Sequence, residues 1–166
     1  YKWFVAVSSG YNNYVNDGSG RYSATGDQAL FLLSLDKPVG TAWSEGSNYF
    51  KIVLPASSST MANGLANPGF ITGDRGEASV MYAGDLQGNI WKFDFGEGLS
   101  STNISSNKIV KVVGSVRQPL FTATDGAGAR QPITVSPVIT TALRRGVMVI
   151  FGTGKFMEQS DANSTG

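Results

Sequence analysis

The stretch "YAGDLQGNIWKFDF", Tyr82 to Phe95, decides how this chain folds. Apolar residues run into Gly84-Asp85, a tight polar turn carrying Gly88 follows, and alternating aromatics leave it. A period of two places Trp91, Phe93 and Phe95 on one strand face and Ile90, Lys92 and Asp94 on the other. The stretch therefore predicts a β-hairpin. It can be a lone hairpin, a ligand-binding turn or one copy of a repeated unit.

The composition around it favours β structure. A chain of 166 residues is long enough for a hydrophobic core, and 15% charged residues beside 21 glycines suit a turn-rich all-β fold better than a helical one. The formal charge of +1, with no basic run longer than Arg144-Arg145, argues against an electrostatic nucleic-acid binder. Cysteine and histidine are both absent, which excludes disulfides, thiolate metal sites, imidazole acid–base catalysis and a Ser-His-Asp arrangement. Val147 to Phe151, the longest strongly apolar run, is too short to span a bilayer. The chain opens mid-pattern with "YKWFVAV", already strand-like, and reads as a piece of something longer.

Short β-rich runs bounded by Gly, Pro, Asn and Ser predict strands at Trp3–Val7, Ala29–Leu35, Phe50–Leu54, Gly69–Thr72, Val80–Ala83, Asn89–Phe95, Ile109–Val113, Leu120–Thr124, Pro137–Thr141 and Val147–Phe151. No segment keeps a helical period; "SSTMANGLAN" comes nearest and is broken by Gly64 and Pro68. Internal repetition then emerges. "NPGFITGDRGEASVMYAGD" (Asn67–Asp85) aligns without a gap on "SPVITTALRRGVMVIFGTG" (Ser136–Gly154), with Pro68 over Pro137 and Tyr82 over Phe151. Val7 ends a similar apolar run near the start, and "ALFLLSLD" then matches "GNIWKFDF" with Asp36 opposite Asp94. Repeated strand–turn–strand units with Gly- and Asp-rich turns describe propeller blades, the alternative being a β-sandwich with chance similarity. The expected fold is all-β and β-propeller-like, with two to three four-stranded antiparallel blades as a fragment of a larger ring. Blade-like units fall at about 1–54, 55–124 and 125–166.

"YAGDLQGNIWKFD", with "QPLFTA", "QPITVSPVI" and "VIFGTGKF" downstream, resembles the C-terminal β-propeller of the PilY1/PilC family of type IV pilus biogenesis and tip-adhesin proteins. The resemblance implies a non-enzymatic role at the pilus tip or outer membrane of a Gram-negative bacterium, reached through the periplasm. Its implied partners are minor pilins, host or abiotic surfaces and the remaining blades of a parent protein. Ala83, Asp85, Gly88 and Trp91 also resemble the tryptophan-docking motif of quinoprotein dehydrogenase propellers, so a fragment of such an enzyme is the rival reading, and a purely structural propeller module a third. Several members of the pilus family carry a calcium loop of alternating acids just before "YAGD". Here the segment is "ITGDRGEASVMYAGD", which keeps Asp74 and Glu77 but interposes Arg75 and has Ser79 in place of the last acid. Calcium takes about six to eight oxygen ligands, so two carboxylates beside an Arg make a poor cage and read as a salt-bridged turn.

Other constellations are weaker. Asn16, Asp17 and Asp27 in the polar loop "NNYVNDGSGRYSATGD" can supply oxygen ligands, though Asn-Asp-Gly-Ser-Gly is also ordinary turn chemistry. The Trp91–Phe93–Phe95 stripe is expected to pack between blades rather than form a stacking platform. Asp85 has no histidine or second acid at fixed spacing, and its expected role is to accept N–H bonds within its turn. Tyr82, Gly84, Asp85, Gly88 and Trp91 are thus structural candidates. No cofactor is expected, Asp74 and Glu77 being the calcium candidates the resemblance offers.

Overall fold

In the computed structural model, which describes residues 2–11, 26–56, 61–106, 108–142, 146–157 and 159–163, the Tyr82–Phe95 stretch lies at the centre of a stack of antiparallel sheets. β1 (Phe4–Ser8), β2 (Gln28–Ser34) and β3 (Tyr49–Leu54) form a three-stranded sheet in that order. β4 (Gly69–Thr72), β5 (Ala78–Gly84), β6 (Asn89–Asp94) and β9 (Phe121–Thr122) form a four-stranded sheet. β7 (Val112–Val113) and β8 (Val116–Arg117) make a small ribbon, and β10 (Val138–Ala142) pairs with β11 (Gly146–Ile150). Among the described residues only the middle sheet has four strands.

The middle sheet is apolar on both faces because it is covered on both. Met81, Ala83, Trp91 and Phe93 pack with Leu30, Leu32, Ile52 and Leu54 of the first sheet. Tyr82, Ile90, Ala123 and Ile133 pack with Ile139, Val149 and Phe151 on the side of β10 and β11. This explains why every residue from Met81 to Trp91 is buried and why the run lacks simple apolar–polar alternation. Trp91 itself sits between the first and second sheets, 1% exposed.

Two connections run in the seams. Leu65 bridges Gly10 on one side and Asp85 on the other, and Ala66 N–H donates to Gly84 O at 2.8 Å. Ile133 N–H donates to Asp85 O at 2.9 Å, and Gly154 N–H donates to Pro132 O at 2.7 Å. Gly64 is required at its seam: a Cβ there would lie 2.5 Å from Tyr11 Cα. The outer edge of β3 is covered by Arg117, whose guanidinium donates to Val53 O and, at 3.4 Å, to Ile104 O. Burial lowers the pKa of that guanidinium.

Both segments of the gapless repeat are antiparallel hairpins, but their registers differ. Phe70 pairs with Met81 and Ile139 with Val149, so taking Phe70 with Ile139 places Ala83 over Phe151 and Gly84 over Gly152. The sequence match had Tyr82 over Phe151. The cause is a β-bulge: Ile71 pairs with Val80 but Thr72 with Ala78, leaving Ser79 as an extra residue in β5. The match of Asp36 with Asp94 is also shifted. Val7 pairs with Phe31 and Tyr82 with Lys92, so Leu30 and Leu32 correspond to Trp91 and Phe93, Gln28 to Asn89, and Asp36 to Glu97.

Two helical turns depart from the all-strand reading. α1 (Ser101–Ser105) is capped by Ser100, whose side chain accepts the Asn103 N–H, and a 3₁₀ turn spans Gln159–Asn163. Strand pairing in the predicted Ile109–Val113 run is confined to a Phe93–Val110 bridge and to β7.

Candidate functional site

Asp85 directly follows β5 and opens a three-residue loop closed by Gly88, whose φ of 78° is the left-handed conformation this loop needs. Asp85 N–H donates to Asn89 O at 3.0 Å and Gly88 N–H returns to Asp85 O at 3.2 Å. The close approach of the next connection also demands glycine: a Cβ on Gly88 would lie 2.8 Å from Gln131 O and 2.9 Å from Ala123 O. At Gly84 a Cβ would lie 2.7 Å from the Ile133 Cβ.

The carboxylate of Asp85 is fully buried and accepts five N–H bonds. Oδ1 takes the backbone N–H of Gln87 and of Asn89, each at 2.9 Å. Oδ2 takes Gln28 Nε2 at 2.6 Å, Asn89 Nδ2 at 2.9 Å and Trp91 Nε1 at 2.7 Å. Gln28 comes from β2, so the bond crosses the seam to the first sheet. Asn89 passes the contact onward: its Oδ1 accepts Thr122 Oγ1 at 2.8 Å and Arg130 Nη1 at 3.1 Å. Arg130 Nη1 also donates to Gln87 O at 3.0 Å. With Ile133 N–H on its carbonyl, Asp85 ties the first sheet, its own turn and the connection to β10.

A carboxylate has about four lone-pair sites, and five donors saturate it. Such a group holds neighbours in place and has no free lone pair with which to take a substrate proton. Burying a charge is costly unless this kind of hydrogen bonding compensates it, which accounts for the density of amides around one acid.

The remaining sequence candidates lie apart from Asp85. Asp74 is exposed, and the Glu77 carboxylate accepts the Arg75 backbone N–H at 3.0 Å in the β4–β5 turn. Asp27 Oδ1 accepts the Ala56 N–H at 3.3 Å, while Asn16 and Asp17 lie outside the described residues. Among the described residues no three carboxylates gather as a metal site. Tyr82 is buried on the face toward β10 and β11. The residues that sequence reasoning missed are Gln28, Asn89, Thr122 and Arg130. Gln28 stands where an alternating strand shows only a polar residue beside "ALFLL", and no spacing links it to Asp85.

A family model described as the PilY1 beta-propeller domain matches residues 1–166. The type IV pilus biogenesis factor PilY1 of Pseudomonas aeruginosa strain PAK is 34% identical over 98% of this chain and 13% of that protein. The protein of the same name from strain UCBPP-PA14 is 35% identical over 86% of this chain and 13% of its own length. The crystal structure of the Pseudomonas aeruginosa PilY1 C-terminal domain superposes with a TM-score of 0.66 at 31% identity, covering 96% of this chain and 31% of that one. The chain thus spans 13% of the length of these curated relatives, which are named as biogenesis factors and not as enzymes. Because the family model runs from the first residue to the last, the chain belongs to the family of PilY1 β-propeller domains.

Proposed function

We propose that this chain is a non-enzymatic propeller module of a type IV pilus biogenesis factor, acting through surface contacts at the pilus tip or outer membrane. Minor pilins, host or abiotic surfaces and further blades of the parent are its proposed partners. The observation that carries the reading is the pairing of family membership over the whole chain with a central acid spent entirely on holding sheets together. The tryptophan-docking pattern of Ala83, Asp85, Gly88 and Trp91 serves the same end, because Trp91 Nε1 binds Asp85 inside the molecule.

The test is a strain whose parent protein lacks residues 1–166, with export of the shortened protein verified by immunoblot. Surface pilin recovered by shearing, and attachment to a solid surface, should both fall well below wild type. Wild-type levels of both with the shortened protein exported would overturn the proposal. So would dye reduction by the purified chain supplied with pyrroloquinoline quinone and calcium.

A further inference from the structure

Three turns share one backbone geometry, and in one of them the carboxylate sits at a different position. In the 85–89 and 125–129 turns the first residue is Asp. Its N–H donates to the carbonyl of the fifth residue, at 3.0 Å for Asp85–Asn89 and 2.8 Å for Asp125–Ala129. The fourth residue is a glycine at φ 78° (Gly88) or 87° (Gly128), and its N–H returns to the first carbonyl. The Asp Oδ1 then accepts the third and fifth N–H groups. For Asp125 these are Ala127 at 2.9 Å and Ala129 at 2.8 Å, matching Gln87 and Asn89 on Asp85.

The 73–77 turn has the same backbone. Gly73 N–H donates to Glu77 O at 2.7 Å, Gly76 N–H returns to Gly73 O at 3.0 Å, and Gly76 has φ 80°. Its first residue, however, is a glycine with no carboxylate to offer. Glu77, the fifth residue, folds its side chain back so that Oε2 accepts the N–H of Arg75, the third residue, at 3.0 Å. The Glu77 Cδ lies 2.7 Å from the place a Cβ on Gly73 would occupy, so the glutamate fills the space of the missing Asp side chain.

We infer that Glu77 is the internal carboxylate of this turn, replacing the first-position Asp, and that the turn closes on the chain's own acid without calcium. The donor set does not fit the cation that the family resemblance suggests. One Glu77 oxygen is committed to Arg75 N–H, Asp74 is exposed, and no third acid joins them among the described residues. Calcium seeks six to eight oxygens. The geometry also makes the two carboxylate positions mutually exclusive, since side chains at 73 and 77 would compete for one space. Gly73 does not sit in the left-handed region, so its backbone tolerates Asp once that space is free.

The experiment measures chemical denaturation and Tm of the 166-residue chain and of Gly73→Asp, Glu77→Asn and the double variant. Each is assayed in millimolar calcium and in excess chelator. Glu77→Asn should shift the folding equilibrium two- to tenfold toward unfolding, the worth of about one net turn hydrogen bond. Gly73→Asp alone should also lose stability. The double variant, which recreates the Asp-x-x-Gly-Asn pattern of 85–89, should recover most of both losses, and the wild-type Tm should be equal in calcium and chelator. Additive losses in the double variant would overturn the inference. A calcium-dependent rise in Tm that Glu77→Asn or Asp74→Ala abolishes would do so as well.

Discussion

Replacing Asp85 by Asn keeps the shape of the side chain and removes one acceptor, and the five donors make its cost calculable. If the Asn carbonyl takes the Oδ2 position, it still serves Gln28, Asn89 Nδ2 and Trp91, and its amide faces the N–H groups of Gln87 and Asn89. If it takes the Oδ1 position, three donors lose their acceptor. The better orientation therefore orphans two buried N–H groups, at about 1–3 kcal/mol each, or roughly 2–6 kcal/mol in total. That is a large share of the roughly 5–15 kcal/mol that holds a typical domain folded. Asp125→Asn is the control, because its carbonyl can take the Oδ1 position and keep both turn bonds, and its amide then faces water at an exposed site. It should cost about 1 kcal/mol or less. Urea denaturation followed by tryptophan emission suits the comparison: Trp3 and Trp43 are 73% and 50% exposed, so the blue-shifted signal comes from Trp91. Equal midpoints for Asp85→Asn and Asp125→Asn would refute the reasoning.

Trp91→Ala should destabilise by about 3–5 kcal/mol in the same assay, since it opens the core between the first two sheets and takes a donor from Asp85. Gly84→Ala should cost about 1–3 kcal/mol by driving a methyl group against Ile133, and Ile133→Ala in that background should cost less than in wild type, a coupling read from a double-mutant cycle. Asp94 lies below its ordinary value of 3.8, chiefly because it accepts the Gly96 N–H, with Lys92 at 3.2 Å adding to the effect against some desolvation. A depressed folded pKa gives stability that is present above the unfolded value and lost as pH falls through the folded one. Denaturation midpoints from pH 5 to pH 2 should therefore drop slightly less for Asp94→Asn than for wild type.

The sheet stack was legible because strands advertise themselves through β-rich runs and punctuating glycines, and because the apolar–turn–aromatic unit recurs. What the sequence hid was register. β2 and β5 carry apolar residues on both faces, so a shift of one or three residues leaves their patterns looking equally good. The Ser79 bulge is invisible in a gapless alignment, since Thr72–Ala78 and Thr141–Val147 pair in matching register and the two hairpins part only beyond Ser79. The site was half legible. Asp85, Gly88 and Trp91 lie within seven residues of one another, and their turn chemistry follows from residue type. Gln28 and Arg130 reach the same network from 57 and, through Asn89, 41 residues away, contacts that only the tertiary fold creates. The short helix at Ser101 was missed because its capping serine stands in a Ser-rich stretch that reads equally well as a loop.

One buried turn joins the sheets into a single cooperative body, and native-state hydrogen exchange tests this most directly. The amides of Gln87, Asn89 and Ile133 lie at turns or a strand end, places where exchange is ordinarily fast. All three should exchange only through global unfolding, at the rate of the central β5 and β6 amides. Exchange as fast as that of Ala127 and Ala129, in the exposed turn of the same geometry, would contradict it.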